Sequence, residues 1–343
     1  MRALVLSAYK QLDLADLPTP TPAADELLIR IKACGICGSD VHGYDGSTGR
    51  RIPPIVMGHE AAGVVESVGS AVTSFRPGDR VTFDSTVYCG QCFFCQRGQV
   101  NLCDNREVIG VSTPTFRRMG AFAEFVTVPE RICYRLPDSM PFAHAALIEA
   151  VSVAVHAVSL TPIAPHDTAV VIGAGMIGLL TLQAVRLAGA ARVFVVDVDD
   201  SRLALARSLG ATEVLNSSKV DAIAAIHQLT SARGADLALE CVGITDTIRL
   251  AIESVRKGGA VTLVGNVAPT IQLGLQSVVS RQIRLQGSCA SCGEYPACIE
   301  MMASGAIRVE PLLSAIAPLD EGASWFQRLY NREPGLLKIV LQP

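Results

Sequence analysis

The sequence predicts an α/β chain of two domains, one rich in short antiparallel strands and one built on a doubly wound, six-stranded parallel sheet. Three observations carry this expectation. The length, 343 residues, allows two sizeable cores. Before about residue 150 the chain is rich in Gly and Pro, and strands such as RALVL, ELLIRIKA, AAGVVESVG and DRVTF are separated by turns like RPGD. From Thr168 onward, β-branched runs alternate with helical stretches, the pattern of successive βαβ units.

Composition narrows the classes of partner. Half of the residues are hydrophobic, and 29 Lys+Arg stand against 32 Asp+Glu for a net charge of −3. That balance argues against nucleic-acid binding, which calls for a basic face. The opening MRALVLSAYK lacks the pattern of a secretory signal, and the uncharged run Thr168 to Val185 contains three glycines. Such a run suits a buried strand and helix better than a membrane span. A cytoplasmic location is therefore expected. The cysteine count, eleven, is odd, so clustered cysteines read as metal sites before disulfides.

The densest cluster is YCGQCFFCQRGQVNLC, which places Cys89, Cys92, Cys95 and Cys103 within sixteen residues. Four thiolates gathered by tight turns at Gly90 and Gly98 make a tetrahedral cage for zinc. An iron–sulfur cluster is the alternative, although the spacing differs from ferredoxin runs and no proline follows the last cysteine. A four-thiolate site leaves no open position, so this lobe is expected to be structural and the chemistry to lie elsewhere.

A second group of donors is mixed. Cys37, His59 and Glu60 lie in CGICGSDVHGYDGSTGRRIPPIVMGHE, and Glu149 follows in LIEAVSVAVHA. A catalytic zinc takes about three protein ligands and keeps one position for water or substrate. Cys34 and Cys37 also read as CxxC, but no thioredoxin-like βαβ context begins there.

The strings G-x-C-G-S-D-x-H, G-H-E, the four-cysteine lobe and a glycine-rich loop, in this order, resemble the zinc-dependent medium-chain alcohol dehydrogenases over essentially the whole chain. The branch that looks closest holds sorbitol, galactitol-phosphate and threonine dehydrogenases. The resemblance implies a GroES-like catalytic domain (residues 1–150 with 288–343) and a Rossmann nucleotide-binding domain (151–287). It implies a catalytic zinc at Cys37 and His59, with Glu60 and Glu149 coordinating directly or holding its water, and a structural zinc in the lobe. Ala150 stands where the branch usually has proline. Ser39 and His42 match a proton relay: the hydroxyl takes the alcohol's proton, and an imidazole of pKa about 6.5 releases it. A dimer or tetramer is also implied.

The cofactor signal is TAVVIGAGMIGLLTLQAVRLAGAARVFVVD. Gly173, Gly175 and Gly178 complete G-x-G-x-x-G between a strand and a helix, and Asp197 follows nineteen residues past Gly178. Glycines let the backbone approach a pyrophosphate, which the helix N-terminus attracts. Asp197 is expected to accept from the adenosine ribose, and a 2′-phosphate would meet Asp197, Asp199 and Asp200. Arg202 is the counter-argument; NAD is the expected cofactor. The resemblance adds Ile177, Val242, Gly243, Val264, Gly265 and Cys289 as cofactor contacts. Asp200 is expected to cap the helix SRLALARSL, which stops at Gly210.

Further strands are expected at TEVLN, DLALECVG, AVTLVGN and IRLQGS, with helices near residues 218–230 and 246–256. By resemblance the chain then returns to its first domain and ends in the strand LKIVL. Cys289, Cys292 and Cys298 lack an obvious fourth ligand and read as fillers. Ala290 and Ser291 occupy the places where sorbitol dehydrogenases carry an Arg-Tyr pair, which speaks against sorbitol itself. The expected activity is oxidation of a secondary alcohol of a polyol, with hydride transfer to NAD. Threonine or 2,3-butanediol dehydrogenation, and a catalytically silent NAD-binding protein, are the competing readings.

Overall fold

Strand Glu26–Gly35 is the axis of the first structural unit. In the computed structural model, which describes residues 1–113 and 116–343, this unit comprises Met1–Glu149, Ser291–Ala303 and Val309–Pro343. Eight of the strand's ten residues are buried, as expected for a strand covered on both faces. Antiparallel neighbours are Glu60–Val68, Phe125–Pro129 and Lys338–Gln342, within a seven-stranded sheet that continues to Arg80–Phe83 and Cys133–Arg135. The register sets Gly35 opposite both Glu60 and Val340. Leu27, Ile29, Ile31, Phe83, Phe122, Phe326, Ile339 and Leu341 form the core beneath it. Each such side chain contributes about 1.5–3 kcal/mol by leaving water. The short ladder Thr86–Val87 with Glu107–Val108 ties the base of a loop that carries the cysteine cluster.

The second unit, Ala150–Ala290 with Ser304–Arg308, holds six parallel strands: β1 (Thr168–Ile172), β2 (Arg192–Asp197), β3 (Glu213–Asn216), β4 (Ala235–Glu240), β5 (Val255–Leu263) and β6 (Arg284–Gly287). Their spatial order is β3-β2-β1-β4-β5-β6, the doubly wound dinucleotide-binding order. All five residues of β1 are buried, which fits its TAVVI composition at the centre of the sheet. Val170, Phe194, Ile226, Ile248, Ile252 and Val261 fill the core between sheet and helices. The uncharged run beginning at Thr168 divides into β1 and helix Met176–Leu187. Another apolar stretch, Phe142–Ser159, is long enough to span a bilayer, but 67% of it is buried within the protein.

Three local expectations are corrected. Helix Asp200–Ser208 is capped by Asp199, whose carboxylate accepts from the N–H of Ser201 and Arg202. Asp200 already has helical backbone, and its side chain instead meets Asn216 and Lys219. The helix expected from residue 218 begins at Ala222, because Asn216 Oδ1 holds Ser218 in a turn and Asp221 supplies the cap. Strand β5 starts at Val255, so the preceding helix ends at Ser254.

Candidate metal centre and nucleotide loop

The mixed donor group is assembled by a strand end, a helix start and a turn. Beyond Gly35 the chain leaves the sheet, and Cys37 caps the short helix Gly38–Gly43. Cys37 Sγ accepts from Ser39 N at 3.5 Å, while its own N–H donates to Asp40 Oδ2 at 3.3 Å. Gly58, at φ 92°, turns the chain so that His59 stands just before the neighbouring strand and Glu60 begins it, both beside Cys37. The ligand atoms of Cys37, His59 and Glu60 all lie within 4.8 Å of one another. A thiol, an imidazole and a carboxylate at this separation fit a divalent zinc with one position left for substrate.

The surroundings favour a cation there. His59 Nδ1 is 3.4 Å from Asp40 Oδ1, close enough for charge attraction but without hydrogen-bond alignment, and Nε2 is 3.5 Å from Ser39 Oγ. Burial opposes protonation of His59, yet Asp40 and Cys37 outweigh it and push the imidazole pKa well above its usual value. Asp40 is itself held well below the carboxylate range, because His59 and Arg51 overcome its burial. Glu60 Oε2 meets Lys338 Nζ at 2.6 Å in a buried ion pair. A Cβ at Gly35 would overlap that same Glu60 oxygen, so a larger residue there would push the carboxylate from its place beside Lys338.

Glu149 sits in the first turn of helix Ile148–Ser159 and lies outside the three-residue donor group. Its Oε1 accepts from Ser85 Oγ at 3.2 Å. Burial pushes its carboxyl up to about 7; His59 opposes the shift, while Glu60 and Asp84 add to it. Asp84 is pushed up to about 6 by burial, against hydrogen bonds from Thr86 N–H and Ser291 Oγ. Ser39 and His42 are three residues apart on one helical turn and share a face. His42 is exposed, whereas Ser39 Oγ accepts from Arg51 Nη2 at 3.2 Å.

The four-cysteine lobe forms a second donor group, with the sulfurs of Cys89, Cys92, Cys95 and Cys103 within 4.8 Å of one another. The N–H groups of Gln91 and Cys92 pull the Cys89 thiol down to about 6, and those of Cys95 and Asp104 lower Cys92. Burial pushes Cys95 up to about 12 and also raises Cys103. Four thiolates so close repel one another unless a cation sits among them, which fits structural zinc. Among the described residues Cys289, Cys292 and Cys298 belong to no such group; Cys292 Sγ donates to Gly98 O at 3.0 Å, and Cys298 is buried. Cys34 is fully buried and its thiol pKa is raised well above the usual value by burial.

In the second unit the expected cofactor residues gather at the carboxyl ends of the parallel strands, about the switch point between β1 and β4. Gly173 follows β1 at φ 92°, and a Cβ at Gly178 would collide with the Gly173 carbonyl. Gly175 caps helix Met176–Leu187, with Ile177 in its first turn. Asp197 ends β2, and its carboxylate accepts from Ala174 N at 2.5 Å and Val198 N at 2.7 Å. Val242 and Gly243 follow β4, with their N–H groups held by Glu240 Oε1, and Val264 and Gly265 follow β5. Cys289 is exposed beyond β6. Arg202 lies on the next helix, 3.9 Å from Asp199.

Sequence reasoning missed Asp40, Arg51, Asp84, Ser85 and Lys338 as parts of the metal surroundings. Asp40 could have been found inside the quoted GSDVH, as a carboxylate one turn from Cys37. Lys338 could not, because it lies 278 residues from Glu60.

A nucleotide-binding sheet with its glycine loop, a mixed sulfur, nitrogen and oxygen donor group and a four-thiolate lobe define a zinc-type oxidoreductase that uses a pyridine nucleotide. The chain belongs to the zinc-binding alcohol dehydrogenase family: residues 23–138 match the alcohol dehydrogenase GroES-like domain and residues 177–304 the zinc-binding dehydrogenase domain. It is 33% identical to sorbitol dehydrogenase of Bacillus subtilis, over 100% of this chain and 97% of that one. Identity to L-idonate 5-dehydrogenase of Vitis vinifera is 36%, over 90% of this chain and 85% of that protein. The solved structure of a candidate zinc-binding dehydrogenase of Sinorhizobium meliloti, bound to NADP, superposes with TM-score 0.91 at 32% identity, covering 100% and 99% of the two chains.

Proposed function

We propose that the protein oxidises a secondary alcohol of a small polyol to the ketone, with NAD as hydride acceptor and about two zinc ions per chain. Zinc, when bound, supplies Lewis acidity toward the substrate hydroxyl, and the nicotinamide accepts hydride. The observation that carries this reading is Ser39 Oγ beside His59 Nε2, at the edge of the Cys37, His59 and Glu60 donor group. Ser39 takes the substrate hydroxyl proton and hands its own outward, where His42 on the same helical face releases it. Glu149, raised to about 7, can hold or yield a proton beside the donor group near neutrality. In this reading residues 1–150 with 288–343 are the catalytic domain and 151–287 the nucleotide domain. All eleven cysteines are unbridged, which suits a reducing, cytoplasmic compartment.

The polyol assignment is supported by the named activities of the sorbitol and idonate relatives. A panel of sugar alcohols, 2,3-butanediol, threonine and 2-propanol, followed by NADH absorbance, tests it. A polyol should give the highest kcat/KM and 2-propanol one smaller by a factor on the order of 10⁴, since polar groups built for hydroxyls reject analogues that lack them. Highest turnover with threonine or a monohydric alcohol would overturn the polyol assignment.

A further inference from the structure

Arg51 is buried at 4% exposure and makes contacts that a simple counter-ion would not need. Its Nε and Nη2 lie 3.2 and 2.9 Å from Asp40 Oδ1, and Nη1 donates to Arg50 O at 3.3 Å. The same Nη2 reaches Ser39 Oγ at 3.2 Å. The side chain lies against Gly43, where a Cβ would overlap Arg51 Cγ, so helix Gly38–Gly43 is shaped around it. One rigid fork therefore touches both the carboxylate facing His59 and the hydroxyl facing the donor group.

A guanidinium has five donors, no lone pair, and stays protonated. Ser39 Oγ can therefore only accept from Arg51. Arg51 takes one of the hydroxyl's two lone pairs; His59 Nε2 stands 3.5 Å away as a metal-ligand candidate, and with that nitrogen on the metal the other lone pair and the O–H remain for proton transfer.

We propose that Arg51 is a positioning residue for the Ser39 hydroxyl, fixing its rotor so that the free lone pair faces the substrate hydroxyl and the O–H faces solvent. The inference rests on the proton-transfer reading of Ser39 given above. Atoms balance simply: the substrate O–H breaks and its proton joins Ser39 Oγ, while the original Ser39 O–H breaks and that proton goes to water or His42. Ser39 ends as it began, and Arg51 neither gains nor loses a proton. The fixed charge also favours the negative charge that Oγ carries in passing, without reorganisation during the reaction.

The competing explanation is that Arg51 only neutralises buried Asp40. A mutant cycle separates the two, using the zinc-loaded full chain as wild type, Arg51→Lys, Ser39→Ala and the double variant. Lysine keeps the charge for Asp40 but loses the planar fork. Zinc content and melting temperature are read alongside kcat, KM and the solvent deuterium isotope effect on kcat. Arg51→Lys should keep its zinc, lower kcat by about tenfold or more with little change in the KM for NAD, and raise the isotope effect. In the Ser39→Ala background the same change should cost less than about twofold, because residues acting as one unit are not additive. Should lysine at this position release zinc, Arg51→Met in an Asp40→Asn background, compared with Asp40→Asn alone, takes its place in the cycle, since methionine offers Ser39 no N–H and no buried carboxylate is left unpaired. Equal losses in both backgrounds, or an unchanged kcat, would overturn the positioning role. Full activity of Ser39→Ala alone would overturn the proton-transfer reading on which it rests, and so the two failures are told apart.

Discussion

Lys338 Nζ and Glu60 Oε2 are 2.6 Å apart, and both side chains are almost wholly withdrawn from solvent. The pair joins the final strand to the strand that begins beside His59, across Gly35, and Lys338 donates also to Ile36 O at 3.0 Å. Burial opposes the ammonium charge, yet Glu60 holds the Lys338 pKa above its usual value. Removing one partner strands the other charge in the interior, a loss of about 3–5 kcal/mol. Lys338→Met should therefore lower the urea midpoint markedly, and Glu60→Gln combined with it should recover much of the loss. An unchanged midpoint for the single variant would show that Glu60 has another counter-charge, for instance the metal itself.

The two donor groups should fail differently. Cys37→Ser removes a ligand from the mixed group while leaving the sheet packing intact, so activity should vanish with the melting temperature nearly unchanged. Cys103→Ala leaves three thiolates at the lobe; a zinc held there would contribute folding free energy, so the variant should lower the melting temperature. Metal analysis of wild type should find about two zinc ions per chain. Zinc-free, fully active protein would sink the metal mechanism.

Asp84 gives a pH-dependent prediction. Its buried carboxyl is raised from 3.8 to about 6, so between these values the folded protein binds more protons than the unfolded chain. Stability from this group is then present at low pH and is lost as pH rises through the folded pKa. The shift corresponds to about 3 kcal/mol at most. Asp84→Asn keeps an oxygen for Thr86 N–H and turns its NH2 to donate to Ser291 Oγ, but cannot ionise. Relative to wild type, the variant should gain stability as pH rises from 4 toward 7, measured by urea unfolding at fixed ionic strength. A pH-independent difference would mean that Asp84 titrates normally.

Much of the fold was legible because its signals are local. TAVVI and RVFVV name their strands by β-branching, and the glycine loop between them announces the turn that follows. The cysteine lobe was readable for the same reason, since its four donors lie within one loop. What surrounds the mixed group was not legible. Lys338 and Ser85 reach Glu60 and Glu149 only through sheet register and helix placement, which no short window of sequence records. The cap at Asp199 was misplaced by one residue because two adjacent aspartates compete, and the winner is decided by where the backbone leaves the extended region.

That displaced cap bears on cofactor choice. Asp199 is committed to the helix N-terminus, and Asp200 is tied to Lys219 at 2.5 Å and Asn216 at 2.7 Å. Of the three acids expected to repel a 2′-phosphate, Asp197 is left as the principal one. Its carboxylate is fixed by the N–H groups of Val198 and Asp199 on Oδ1 and of Ala174 on Oδ2, and in the proposed reading the remaining Oδ2 lone pair accepts from a ribose hydroxyl. A phosphate brought against it should cost on the order of a few kcal/mol, and NAD should exceed NADP in kcat/KM by about a hundredfold or more. Asp197→Ser should narrow that ratio by at least about tenfold, leaving Arg202 to attract the phosphate. The same substitution should weaken NAD binding, since the ribose loses its acceptor; fluorescence titration of NADH reads this without turnover. Equal kcat/KM for the two cofactors in wild type would remove Asp197 from the discriminating role and leave Arg202 as the residue that decides.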